Sequence, residues 1–205
     1  IGFILKKNNQ HFILSYILAG IFSIDLFANH AYQLQWSLWD VQKSLPLHFC
    51  GISYILSIIF LIKPNQTIFE LLLYWGIPGA IHAFYTPQFE FGTSGYLFWR
   101  FWLSHGALLL TALYAVSLLG FRPRKLSWIK VFLQTQFLLI FVALVNYVFK
   151  SNYMFLCEPP AVNNPFIARD SFLAVWPWYF IVLEIVALIH LVIVYIFFKR
   201  KTYNN

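Results

Sequence analysis

Six apolar stretches separated by short polar breaks constrain this chain more than any other feature. They run over residues 11–30, 45–62, 67–86, 98–119, 128–149 and 174–197. Each is near the ~20 residues a helix needs to cross a hydrocarbon core of ~30 Å. Turn-forming residues gather between them, in "KPNQ", "TPQFEFGTSG", "GFRPRK" and "CEPPAVNNPF". Composition points the same way, with 60% hydrophobic and only 10% charged residues and a mean hydropathy of +0.70, against about a quarter charged in soluble domains. Trp and Tyr cluster around 36–39, 96–102 and 176–179, where interfacial belts are expected. The expected fold is all-α, a single polytopic transmembrane helix bundle over residues 1–205 with six visible spans.

A net charge of +7 invites a nucleic-acid reading. The cations, however, sit in short loops between apolar stretches rather than on one polar face, which is how topology signals are distributed. If the chain before the first span is cytoplasmic, that side holds Lys6, Lys7, Lys63, Arg122, Arg124, Lys125, Lys130, Lys199, Arg200 and Lys201. The other side holds Lys43, Arg100, Lys150 and Arg169. This imbalance predicts that both visible ends, including the C-terminus, are cytoplasmic. The opening "IGFIL" followed by Lys6 and Lys7 reads as the tail of an earlier apolar segment, and it lacks the order of a signal peptide.

Sidedness sorts the intramembrane polar residues by depth, at ~1.5 Å per helical residue. Asp25, Cys50, His82, His105 and Asn146 all fall in the leaflet away from the cytoplasm, and Glu184 falls near mid-membrane. The long extracytoplasmic loop 150–173 lies on the same side and suits a lid. Ionisable groups in a bilayer face a bundle interior or a cavity, so Asp25 and Glu184 need partners. Each either ties helices together or orients an imidazole.

Cys50 has a plain reading as a small buried hydrophobe. Helical geometry adds a second, because Cys50, Ser53 and Ser57 share one face of their helix. His48, two residues earlier, points about 200° around the helix, so "HFC" is not a self-contained dyad. A base for Cys50 must then come from another helix. His105 lies at similar depth, with Gly106 beside it to permit close approach, and His82 competes. Metal binding is also open, since His48, His82, His105, Asp25, Cys50 and Glu184 could supply a zinc site, but no HxxxH, HExxH or CxxC spacing is present. A Cys50–Cys157 disulfide would need the long loop to dip inward.

Five stretches, "SLPLHFC", "YWGIPGAIHAFYTP", "FWLSHG", "NYVFKSNYMFLCEPP" and "WPWYFIVLE", occur in this order along the chain. Together they resemble the YwaF family of bacterial multi-pass membrane proteins, which is similar in turn to the eukaryotic transmembrane protein 164 family. The resemblance implies seven spans, one of them before Ile1, and residence in the bacterial cytoplasmic membrane. It also implies a phospholipid acyltransferase using a cysteine and a histidine, here Cys50 and His105, with no cofactor. The expected mechanism is attack of the Cys50 thiolate on an ester carbonyl of a phospholipid. The acyl group then passes to a lysophospholipid or to water. Asn146 or Asn152 would donate to the oxyanion, and His48, His82, Asp25 and Glu184 would support. Two other readings stand beside it, a non-enzymatic carrier or receptor with a pocket lined by Asp25, His82 and Glu184, and a zinc-dependent lipid amidase.

Overall fold

The computed structural model describes residues 10–160 and 172–199, with side chains from residue 12. It is a helical membrane bundle, without strands among the described residues. The helices are α1 (Gln10–Gln35), α2 (Phe49–Ile62), α3 (Gln66–Leu71), α4 (Ile77–Tyr85), α5 (Gly95–Ser117), α6 (Ser127–Phe149) and α7 (Trp178–Phe198). A π-helical turn, Leu72–Gly76, joins α3 to α4, so 66–85 forms one continuous rod.

Local chemistry explains these boundaries. Asn65 caps α3, its side chain accepting from the backbone N–H groups of Thr67 and Ile68. The π turn lies just ahead of Pro78, whose ring cannot donate an N–H and would clash with the carbonyl four residues earlier. A wider turn relieves that conflict within the span. The stretch read as a span from residue 45 becomes helical only at Phe49, because Pro46 folds back on the first turn. A Cβ on Gly51 would lie 2.9 Å from Pro46 Cα, so only glycine admits that approach.

Four rods are long and apolar enough to cross a membrane: Phe12–Gln35, Gln66–Tyr85, Ser127–Phe149 and Trp178–Phe198. Helix α2 is apolar but has only 14 residues. Helix α5 has 23 residues but carries Arg100 and His105. The outward faces are apolar throughout. Ile181, Ile185, Ile189, Ile193 and Ile196 form an exposed stripe down α7, and Ile13, Ile17, Ile21 and Ile24 another on α1. Water would not tolerate faces of this extent, whereas lipid solvates them. The protein is therefore a multi-pass integral membrane protein.

The core divides along the bundle. Phe60, Phe69, Leu72, Leu73 and Tyr74 pack with Ala112, Ala115, Val131 and Val194 at one end. Ala19, Phe22, Tyr54, Ala80, Ala107 and Leu108 join α1, α2, α4 and α5, with Cys50 against them. Small residues at 19, 80 and 107 let these helices approach closely, as packing in lipid requires.

Candidate active site

A cavity of ≈ 210 Å³ opens at the end of the bundle where α1 finishes and α2 and α5 begin. Asn29, His30 and Gln33 line it from α1, Cys50 and Tyr54 from α2, and Arg100, Ser104 and His105 from α5. Helical spacing puts these groups on common faces. Cys50 and Tyr54 are four apart, as are Arg100, Ser104 and Leu108. Lys43 and Glu90 also line the cavity and pair at 3.2 Å, joining two interhelical loops.

Cys50 and His105, from different helices, therefore share one cavity. Cys50 is half-buried and unbridged, and its Sγ lies against the backbone of α4, where a Cβ on Gly79 would fall 3.2 Å away. The close approach expected at Gly106 occurs instead at Gly79, for the space around Gly106 is open. His105 Nδ1 lies 2.7 Å from the Phe101 carbonyl oxygen, which can only accept. In the neutral ring the proton is thus on Nδ1, and Nε2 carries the lone pair. The imidazole also packs on the Phe101 ring, with centroids 4.3 Å apart. Among the described residues no hydrogen bond joins Cys50 to His105.

Beneath the cavity lies a charged network that sequence reasoning did not assemble. Asp25 Oδ2 accepts from Tyr54 Oη at 2.8 Å and pairs with Arg100 Nη2 at 3.1 Å. The Arg100 guanidinium also lies 5.8 Å from the Tyr54 ring centroid. Its Nε is buried with no hydrogen-bond partner. Arg100 was expected among the loop charges. Helix α5 starts at Gly95, which carries Arg100 more than a turn inward, and its four-residue spacing from Ser104 was the available signal. Tyr54, one turn after Cys50, offered the same clue.

The other expected residues lie elsewhere. His48 Nδ1 accepts from the Met154 N–H at 3.2 Å, and its ring packs on Tyr153 and Phe155. Asn146 is fully engaged in folding the segment after α6. Its Oδ1 accepts from Ser151 Oγ and Tyr153 N, and its Nδ2 donates to the Tyr153 carbonyl. Asn152 Oδ1 accepts from the N–H groups of Cys157 and Glu158, and its Nδ2 donates to the Glu158 carbonyl. Neither amide lines the cavity, so the oxyanion role expected of them has no support in their position. Glu184 accepts from Gln136 Nε2 at 2.8 Å rather than from a histidine. His82 Nε2 lies 3.1 Å from His190 Nε2, linking α4 to α7.

Among the described contacts Asp25 thus meets Tyr54 and Arg100, His82 meets His190, and Glu184 meets Gln136. No three His, Cys, Asp or Glu side chains gather as metal ligands among the described residues. Cys50 and Cys157 are both free thiols. The loop 150–173 is described only in part, and its residues 161–171 lie outside the described residues.

No curated protein and no solved structure gives a significant match. The TMEM164 family model, by contrast, matches residues 2–195, nearly the whole chain. The chain, a bundle of apolar membrane helices, thus belongs to the TMEM164 family.

Proposed function

We propose that the protein is an integral-membrane acyl-transfer enzyme acting on phospholipid esters, with Cys50 as nucleophile and His105 as general base. The observation that carries this reading is the shared cavity. Cys50 and His105 line it from different helices, and the contact of Nδ1 with the Phe101 carbonyl leaves His105 Nε2 as a proton acceptor.

His105 Nε2 removes the proton from Cys50 Sγ, and the thiolate attacks the ester carbonyl carbon. The tetrahedral adduct collapses with cleavage of the carbon–oxygen ester bond, and the departing alkoxide takes the proton back from His105. The resulting thioester is resolved when a lysophospholipid hydroxyl, or water, attacks it with His105 again as base. Cys50 and His105 must close a hydrogen bond for the first step, as catalytic groups commonly do when substrate arrives. Arg100 is the best-placed cation for the developing oxyanion. Its Nε has no protein acceptor, and Asp25 holds its far nitrogen.

The cationic loop between α5 and α6, with Arg122, Arg124 and Lys125, lies at the opposite end of α5 from this cavity. By the positive-inside rule that end is cytoplasmic, and the cavity faces the outer leaflet of a bacterial cytoplasmic membrane.

The test uses the full chain in lipid nanodiscs, with a phospholipid labelled in its acyl chain and an unlabelled lysophospholipid acceptor. Transfer falls by about two orders of magnitude or more in Cys50→Ser and in His105→Ala. Electrophile labelling of Cys50 falls with His105→Ala. Unchanged turnover in both variants would end the proposal.

A further inference from the structure

The opposite end of the bundle carries a second cavity, open and ≈ 880 Å³ in volume, between the α5–α6 connection and the end of α7. Its charged lining is entirely basic, from Arg122, Arg124, Lys125 and Lys199. One of these charges is already met. Arg124 reaches Glu70 through Nη2 at 2.6 Å and Nε at 2.9 Å, and Glu70 is 1% exposed. The other three have no ion pair among the described residues.

The cations stand on a built loop. Arg122 Nη1 donates to the carbonyls of Val116 and Phe121, at 2.7 Å each. Gln66 Nε2 donates to the Arg122 carbonyl at 2.9 Å and to Glu70 at 3.0 Å. Arg122 is therefore fixed by one terminal nitrogen, which leaves its Nε and Nη2 without a protein acceptor among the described residues. That edge is the fork that binds two oxygens of a phosphate at once. Lys199 is placed over the Tyr195 ring at 5.8 Å. Holding three like charges together is costly unless an anion joins them.

We propose that this cavity binds the phosphate of an anionic phospholipid headgroup. The phosphate sits on the Arg122 fork, with Lys125 and Lys199 closing around it and the glycerol against Phe121 and Tyr195. A lipid fits better than a free anion because the cavity adjoins the lipid-facing stripe of α7. Ile193, Ile196 and Phe197 are exposed at its end, a ready path for acyl chains. Basic pockets between spans at a cytoplasmic face suit this chemistry. The site is separate from the Cys50 cavity and does not depend on its reaction.

The experiment is native mass spectrometry of the detergent-purified full chain with added phosphatidylglycerol or phosphatidylcholine. The expected result is a clear preference for phosphatidylglycerol, reduced about tenfold or more in the double variant Lys125→Gln/Lys199→Gln. Both lysines are exposed, so this variant leaves the packing intact where an Arg122 substitution would disturb the loop. Lys130→Gln removes an exposed cation outside the cavity and leaves the preference unchanged. Equal loss in Lys130→Gln, or no loss in the double variant, would reduce the effect to diffuse surface charge and overturn the proposal. Displacement of the lipid by millimolar inorganic phosphate would assign the site to a free anion and overturn the headgroup reading.

Discussion

Asp25 on α1 and Arg100 on α5 are joined at 3.1 Å inside the bundle, with Tyr54 of α2 donating to the same carboxylate oxygen. One carboxylate thus couples the three helices that enclose the cavity. Their side chains are 25% and 18% exposed, respectively. Asp25→Asn is expected to destabilise by about 2–4 kcal/mol, short of the full cost of breaking a deeply buried pair. Asp25→Asn/Arg100→Gln should recover part of that loss, because no unpaired charge remains. Thermal unfolding in detergent reads both, and simple additivity would refute the coupling.

Gly79→Ala probes the seat of the thiol. The new Cβ would crowd Cys50 Sγ at 3.2 Å, and the sulfur must shift by a few tenths of an ångström. Alkylation of Cys50 by a small maleimide, measured in a Cys157→Ser background, should slow several-fold with a stability loss of about 1 kcal/mol. Gly106→Ala, with open space around it, should leave the alkylation rate unchanged.

Asn146→Ala separates a folding role from a catalytic one. Three hydrogen bonds to the segment 151–153 disappear in a buried setting, at an expected cost of about 2–4 kcal/mol. At a temperature where the variant is folded, kcat for acyl transfer should stay within about threefold of the parent. A hundredfold fall in kcat would instead mark an oxyanion donor.

The Glu70–Arg124 pair should respond asymmetrically. Arg124→Gln leaves a carboxylate that is 1% exposed without its cation, at a cost of about 3–5 kcal/mol. Glu70→Gln leaves a half-exposed guanidinium and keeps an amide acceptor in place, so about 1–2 kcal/mol is expected. Equal melting-temperature shifts would mean that burial of Glu70 does not set the balance.

The spacing of apolar runs made the helical membrane bundle legible, since a bilayer allows few other ways to satisfy the backbone. Depth counting also set Cys50 and His105 at one level, and helix phase separated His48 from Cys50. Side-chain partners were less accessible, because they depend on helix tilt and neighbour choice. Gly79 rather than Gly106 meets the thiol because the rod carrying residue 79 packs across α2. Asn146 sits in the last turn of α6 but turns toward the loop that follows it. Asp25 was expected beside a histidine, whereas Arg100 outcompetes one with a full charge. Glu70 escaped notice because a carboxylate near a span's end usually points to water, and here Gln66 and Arg124 draw it inward.

The short helix α2 bears on the membrane itself. Its 14 residues cover about 21 Å at 1.5 Å per residue, well under the ~30 Å of a hydrocarbon core. A span this short is matched to a full core by local thinning of the bilayer or by flanking residues that reach the interface. Either response narrows the distance between the polar–apolar boundary, where ester linkages of lipids reside, and Cys50 in the first turn of α2. For the acyl transfer proposed above, an acyl chain then remains dissolved among its neighbours while its carbonyl approaches Cys50. The short helix then draws the membrane's surface toward the proposed nucleophile and leaves the lipid where it is.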